Sequence, residues 1–391
     1  MVYNPVYTEE PLTDFSSVNT ETDLNALNLN WREKDLPERI RTKHVHRLHP
    51  YLGKFVPQIV EIFLRKFDPK FVIDPFCGSG TTLVETAVFG VPSLGVDISE
   101  FNCLLSKVKT ADYDVPALEN EVKDILTKVK LETQDTLFSG LENERLTDND
   151  YLNEWYAPQA LRELLSYRDS MNGYSYSDVL KVILSRSARS ARLTTHYDLD
   201  FPKKPVREPY ECYKHGRICK PTEEAFKFLR RYSLDTVKRI KEFSKIRTGV
   251  GVTVIHGDSR SIEFPEADIV ITSPPYIGLI DYHEQHKYAF ELLGLKNKEQ
   301  REIGAAKNGR SKKAKDDYVS SIAEVLINVG KNMKRGSPLV IIANDSEGLY
   351  PIILDAAGYT QEAELKRHVN RRTGRRSTDF YESIFIWRVR N

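Results

Sequence analysis

The sequence predicts an α/β fold of the Rossmann-like kind, a mainly parallel sheet with helices on both faces, interrupted by a mainly helical insertion. Three observations lead there. Short β-branched runs alternate with amphipathic helical stretches over residues 55–110, the alternation stops over 112–248, and it resumes from 252 onward.

Each element has its own signal. Val56, Ile59, Val60, Phe63 and Phe67 recur at the spacing of a helix with one apolar face. Phe71 to Asp74 reads as a buried strand, followed by a glycine turn, a helix from about 81 and a strand over Ser93 to Val96, which is β-α-β grammar. From 112 to 248 the periodicity is helical and rich in charge, broken by the loop "DFPKKPVREPYECYKHGRICKP". Strands then follow at 252–255, 268–272 and 338–343, with helices at about 281–293 and 316–333 and final strands at 359–366 and 380–388. The later elements complete the sheet that the earlier ones begin.

Composition sets the bounds. With 391 residues and 40% hydrophobic content the chain can bury an ordinary core. Lys and Arg number 57 against 56 Asp and Glu, so affinity for a polyanion must come from local clusters. The first thirty residues carry Glu9, Glu10, Asp14, Glu21 and Asp23 and no Lys or Arg, so no secretory signal is expected. Apolar stretches such as Leu339 to Ala343 fall far short of the roughly 18 residues of a membrane span. Four cysteines, at 77, 103, 212 and 219, fit a reducing cytoplasm rather than a disulfide framework.

The chemistry gathers at strand ends. In "VIDPFCGSGTT" Gly78 and Gly80 lie between a strand and a helix, where a ligand can approach the backbone and face the helix N-terminus. The turn lacks the third glycine of the dinucleotide fingerprint and the Lys-Ser/Thr of a P-loop, which disfavours a pyrophosphate. Asp74, Asp97 and Asp258 each close a strand, and Asp97, 23 residues after Asp74, is placed to accept from ribose hydroxyls. Three such acids suit a nucleoside ligand with an amine and a positive centre but no phosphate, and S-adenosylmethionine is such a ligand. At the end of the run 268–272 stand Ser273, Pro274, Pro275 and Tyr276, a polar and aromatic tip where α/β sheets bind ligands.

Together "DPFCGSGTT", Asp97 in "GVDIS", "GDSR" and "TSPPY" resemble the amino-methyltransferases of DNA, which methylate exocyclic nitrogens of cytosine or adenine. The Ser-Pro-Pro-Tyr form is most similar to the N4-cytosine branch, since the adenine branch more often begins with Asp or Asn. "HPYLGKFVPQ", residues 49–58, resembles the segment that precedes the glycine turn in this family and helps enclose the methionine part of the cofactor. The resemblance implies the class I methyltransferase form of the fold, S-adenosylmethionine as cofactor and duplex DNA as substrate. A restriction-modification setting would add a cognate endonuclease as partner and a cytoplasmic place at the nucleoid. It carries cofactor contacts to Lys54, Phe55, Asp74, Phe76, Gly78, Gly80, Thr81, Asp97 and Asp258, and catalysis to Ser273, Pro274, Pro275 and Tyr276. The chain then divides into an acidic N-terminal segment (1–40), a cofactor-binding half (41–111), the helical insertion (112–248), expected to recognise the target, and a catalytic half (249–391).

The implied reaction explains the tetrapeptide. An exocyclic amine is a poor nucleophile because its lone pair is delocalised into the ring, and it is hidden until the base is flipped from the duplex. Ser273 Oγ and the Pro274 carbonyl can accept hydrogen bonds from the amine hydrogens, favouring a tetrahedral nitrogen whose lone pair faces the methyl group. Prolines bring no competing N–H, and Tyr276 offers a face for the ring to stack on. Methylation at cytosine carbon 5 would need a nucleophilic cysteine, usually as Pro-Cys, and the chain has no Pro-Cys. N6-adenine methylation and RNA base methylation stand as alternatives, as does a DNA-binding protein that keeps only the fold; intact Ser273, Gly78 and Asp97 argue against the last.

Basic clusters point to nucleic acid. Lys312 and Lys313 in "AAKNGRSKKAK" and Arg371 and Arg372 in "KRHVNRRTGRR" are expected on phosphates. Arg186, Arg189 and Arg192, three residues apart, are expected to form one helical face that reads bases. Cys212, His215 and Cys219 have the spacing of zinc ligands but no obvious fourth nearby, and His283 and His286 read as substrate or solvent contacts, so no metal is expected.

Overall fold

The computed structural model describes residues 11–134, 145–369 and 380–390. A short helix α1 (Glu38–Arg41) precedes α2 (Pro57–Phe67), which opens on a proline at its first position, where the missing N–H costs nothing. Then come β1 (Val72–Asp74), α3 (Thr81–Phe89), β2 (Ser93–Asp97) and α4 (Glu100–Thr110), the last capped by Ser99, whose side chain accepts from Asn102 N.

Between α4 and the next sheet strand lie α5 (Val115–Gln134), α6 (Asp150–Trp155), α7 (Pro158–Ser170), α8 (Ser177–Ala191), a hairpin of β3 (Tyr210–Cys212) and β4 (Arg217–Cys219), and α9 (Phe226–Phe243). The hairpin falls in a stretch expected to be loop; its strands of three residues are too short to leave a period in the sequence. The chain after the insertion supplies β5 (Val252–His256), β6 (Ile269–Thr272), α10 (Tyr282–Gln285), α11 (Lys287–Leu293), α12 (Lys312–Gly330), β7 (Pro338–Ala343), α13 (Tyr350–Ala357), β8 (Tyr359–Val369) and β9 (Phe380–Val389). The single helix expected over 281–293 is broken at His286, whose φ of −106° leaves helical geometry.

The seven-stranded sheet runs β5-β2-β1-β6-β7-β9-β8. Neighbours from β5 to β7 are parallel, and β9 is antiparallel to both β7 and β8. The chain works outward from β1 in one direction and then returns to β6 on its other side, so the strand order reverses between β1 and β6. Ligands bind at such a switch point, beyond the carboxyl ends of the strands.

Strand alternation fills both faces. Leu339 and Ile341 of β7 pack with Tyr318, Ile322 and Leu326 of α12, while Val340 and Ile342 pack with Ile59, Val60 and Phe63 of α2. Leu24, Leu29, Trp31 and Leu36 are buried in the second layer, so the acidic segment before residue 40 covers the sheet from at least residue 18. A third cluster joins the helices of the insertion to α4 and α11. Among the described residues no helix is long and apolar enough to cross a membrane.

Candidate active site

A cleft opens where β1, β2, β5 and β6 end. Phe76, Gly78, Asp97, Asp258, Ser273 and Pro275 line it together, although they lie up to 199 positions apart in the chain.

The glycine turn forms the floor. Gly78 has φ 49° and Gly80 φ 81°, left-handed values that favour glycine, and a Cβ on Gly78 would come within 3.1 Å of the Tyr51 hydroxyl in the cleft wall. Side chains of α4 hold the turn from below: Ser106 Oγ donates to Gly78 O at 2.8 Å and the buried Lys109 Nζ to Ser79 O at 2.7 Å. Burial holds the Lys109 ammonium well below its usual range.

Asp97 is held by three hydrogen bonds. It accepts from Gly78 N at 2.9 Å, Ser99 N at 2.8 Å and Asn102 Nδ2 at 3.1 Å. Those three bonds occupy most of the roughly four acceptor sites of a carboxylate, leaving about one for a ligand hydroxyl rather than the two expected. Its carboxyl is pushed up to about 6, chiefly by burial. Asn102 Oδ1 and Glu302 Oε2 are buried without a hydrogen-bond partner among the described residues, and both residues line the cleft. Glu302 Oε1 meets His283 Nδ1 at 2.5 Å, which explains where His283 is spent; His286 Nδ1 lies 3.0 Å from Tyr282 O. Asp258 is braced by Arg260, whose Nε and Nη2 donate at 2.9 and 2.7 Å and keep the carboxyl below its ordinary value.

The Ser273–Tyr276 turn forms the opposite wall. Thr272 Oγ1 donates to Asp74 Oδ1 at 2.6 Å, tying β6 to β1 beneath it. Tyr318 Oη donates to Pro275 O at 2.9 Å, whereas the Pro274 carbonyl has no protein donor among the described residues. Tyr276 Oη donates to Glu382 Oε1 at 3.2 Å, and Glu382 is paired with the buried Arg367 at 3.0 Å. Burial, followed by the Glu382 charge, keeps the Tyr276 phenol protonated well above its usual range.

Several expected residues lie elsewhere. Asp74 is buried under the turn, Gly80 and Thr81 start α3, and Pro274 and Tyr276 flank the wall rather than line it. Lys54 turns away to donate to His46 O at 2.9 Å, and Phe55 is packed against α2. Tyr51 is the residue of that segment that reaches the cleft, stacked on Tyr282 at 5.6 Å and 19°. The sequence pointed to Lys54 and Phe55 in this segment and not to Tyr51, which the left-handed Gly53, φ 80°, separates from Lys54. Asn102, Arg301 and Glu302 carry no motif and were not legible.

The three arginines expected to read bases have partners within the chain. Arg186 pairs with Asp235 at 2.6 Å and lies over the Tyr232 ring, Arg189 pairs with Asp200, and the buried Arg192 donates to Leu199 O at 2.6 Å. All three guanidinium groups are engaged inside the insertion. Lys312 and Lys313 are exposed at the start of α12 and form no ion pair among the described residues, while Lys307, Arg310 and Lys315 pair with Glu299 and Glu347. Arg371 and Arg372 lie outside the described residues.

Asp97, Asp258 and Glu302 against Arg301 and the Arg260 paired with Asp258 leave the cleft net acidic, which disfavours phosphate and suits a sulfonium and an ammonium group. The two unpartnered buried acceptors give donors on such a ligand somewhere to bind. Strand order and cleft together fit the Rossmann-like class I methyltransferase fold, whose cofactor is S-adenosylmethionine. No family model matches the chain. Type II methyltransferase M.MjaII of Methanocaldococcus jannaschii is 37% identical over an alignment of 430 residues, covering 90% of this chain and 81% of that protein. Type II methyltransferases M.MvaI of Kocuria varians and M.BsoBI of Geobacillus stearothermophilus are 25% and 24% identical, covering 59% and 73% of this chain and 53% and 61% of their own. Among solved structures, TrmN from Thermus thermophilus covers 86% of this chain and 50% of its own at 12% identity and a TM-score of 0.32. The chain belongs to the type II methyltransferases.

Proposed function

We propose that the protein methylates the exocyclic N4 of a cytosine flipped out of duplex DNA, at a specific sequence and in a restriction-modification setting with a cognate endonuclease. The observation that supports the reading is that Ser273 lines the same cleft as Asp97 and Asp258. S-adenosylmethionine supplies an electrophilic methyl group on sulfur. Asp97, Asn102, Glu302 and Asp258 would hold it, with Tyr51 and Tyr282 on the aromatic side. Ser273 Oγ and the Pro274 carbonyl accept from the two amine hydrogens, turn the lone pair out of the ring plane and stabilise the positive charge that develops on nitrogen. Relatives named type II methyltransferases support the setting.

The test is incubation of the protein with isotopically labelled S-adenosylmethionine and mixed DNA, followed by nucleoside mass spectrometry. Labelled N4-methylcytosine is expected. Labelled N6-methyladenine alone, or methylated RNA beside untouched DNA, overturns the assignment.

Phosphate contact is assigned to the flank of the cleft. A second, polar cleft lined by Arg260, Arg301 and Lys313 adjoins the first through Arg301, Glu302 and Ile303. Each phosphate contact contributes a slope of about −0.9 in log affinity against log salt, so Lys312→Ala with Lys313→Ala should make the slope shallower by about 1.8. Sequence preference should be unchanged, because phosphate contacts carry none. An unaltered slope in fluorescence-anisotropy titrations would assign both lysines to plain surface.

A further inference from the structure

The insertion holds a cluster that the methyl-transfer chemistry does not use. His196, after α8, comes within reach of Cys212, His215 and Cys219 on the β3–β4 hairpin, and their four ligand atoms all lie within 4.8 Å of one another. His196 Nδ1 is 3.2 Å from His215 Nδ1, and His215 Nδ1 is 3.5 Å from Cys212 Sγ and 3.4 Å from Cys219 Sγ. Cys212 Sγ to His196 Nδ1 is 4.0 Å. Zinc bonds of about 2.0–2.1 Å to nitrogen and 2.3 Å to sulfur, arranged tetrahedrally, put ligand atoms roughly 3.3 to 3.8 Å apart. The observed separations bracket that range.

Hydrogen bonding alone accounts poorly for the arrangement. One ring nitrogen, His215 Nδ1, faces another ring nitrogen and two sulfurs at once, yet it can make one good hydrogen bond as either donor or acceptor. A cation bound by all four atoms would satisfy them together. Both cysteines are free thiols and buried. They are also out of register for a cross-strand disulfide, since Cys212 pairs with Arg217 and Cys219 with Tyr210.

We propose that His196, Cys212, His215 and Cys219 bind a structural zinc ion that staples the β3–β4 hairpin to the chain leaving α8. Two nitrogens and two sulfurs in a tetrahedron select zinc among common cations, and four protein ligands leave no open position for chemistry. The backbone is shaped for it. His215 N and Gly216 N both donate to Cys212 O, at 3.1 and 2.8 Å, folding the turn so that His215 returns toward Cys212. Tyr210 Oη accepts from His196 N at 2.9 Å and holds the fourth ligand beside the hairpin. A staple is needed because the hairpin has almost no core: Tyr213 and Ile218 are 77% and 69% exposed, and two strands alone are marginal in water.

The full-length protein, purified untagged and without chelator, is expected to contain about one zinc ion per chain by plasma mass spectrometry. Cobalt added to metal-stripped protein should give the visible absorption of a tetrahedral thiolate site. Cys212→Ser with Cys219→Ser should abolish both signals, leave helical circular dichroism intact and speed proteolysis between residues 194 and 225. His215→Ala, on the exposed tip, provides the same metal test should the double variant fail to fold. Wild-type protein that carries no zinc and takes up no cobalt overturns the proposal. So does full zinc content in a folded cysteine variant, or a Cys212–Cys219 disulfide in protein prepared under reducing conditions.

Discussion

Asp97→Ala is expected to weaken S-adenosylmethionine binding by about 100-fold, corresponding to roughly 3 kcal/mol for the loss of a charge-assisted hydrogen bond and the release of the turn it holds. The carboxylate binds Gly78 N as well as facing the cleft, so on the proposed reading its loss would remove a ligand contact and free the turn beside it. The same group predicts a pH profile. Burial raises its carboxyl to about 6, and the ligand needs the ionised form, so affinity should be flat above about pH 7 and fall about tenfold by pH 5. The stability of the free protein should move the other way. Asp74 and Asp97 are both raised to about 6 from an unfolded value near 3.9, so the folded state binds more protons between those limits. Their cost to stability is complete above about 6 and disappears as pH falls toward 3.9. Calorimetric titration of the cofactor from pH 5 to 8 checks the binding profile, with Asp97→Asn expected to flatten it. Unchanged affinity in Asp97→Ala would remove this residue from the cofactor site.

Tyr276→Ala is expected to lower turnover by about 10 to 100-fold while leaving S-adenosylmethionine affinity within about twofold, as the loss of 1 to 3 kcal/mol of base stacking requires. Tyr276→Phe separates the ring from its hydroxyl. The hydroxyl is anchored on Glu382, outside the cleft wall, so the phenylalanine variant should retain most of its turnover. Single-turnover kinetics on duplex DNA, beside cofactor titration, give both readings. Equal loss of cofactor affinity in Tyr276→Ala and Asp97→Ala would place the tyrosine in the wrong pocket.

Strands, glycine turn and the acids at strand ends were legible because each leaves a local mark: a β-branched run, a pair of glycines, an acid at the run's end. The arginine trio shows where local marks fail. Three-residue spacing places Arg186 and Arg189 on one side of α8, but it does not reveal that Asp235 lies opposite, 49 residues further along. His196 is the same case in reverse. It stands 16 residues before Cys212, and the fold of the intervening loop makes it a neighbour. Glu302 and Asn102 were hidden because an acid or amide in a charged chain is ordinary until its buried oxygen is found without a partner.

The two ends of the insertion meet. Arg247 Nε donates to Thr110 O at 2.9 Å, and Thr248 N donates to Ala87 O at 2.9 Å. Adjacent ends usually mark a piece that can be exchanged between proteins. Here Phe101 and Leu105 of α4 and Tyr288, Phe290 and Leu292 of α11 share one apolar cluster with Leu161, Leu180 and Ile183 of the inserted helices. A chimera that swapped only the inserted residues would therefore join mismatched surfaces across the middle of a core. To keep its packing, a hybrid of two such enzymes must inherit α4 and α11 together with the insertion, which carries a piece of each half of the catalytic sheet domain across with it.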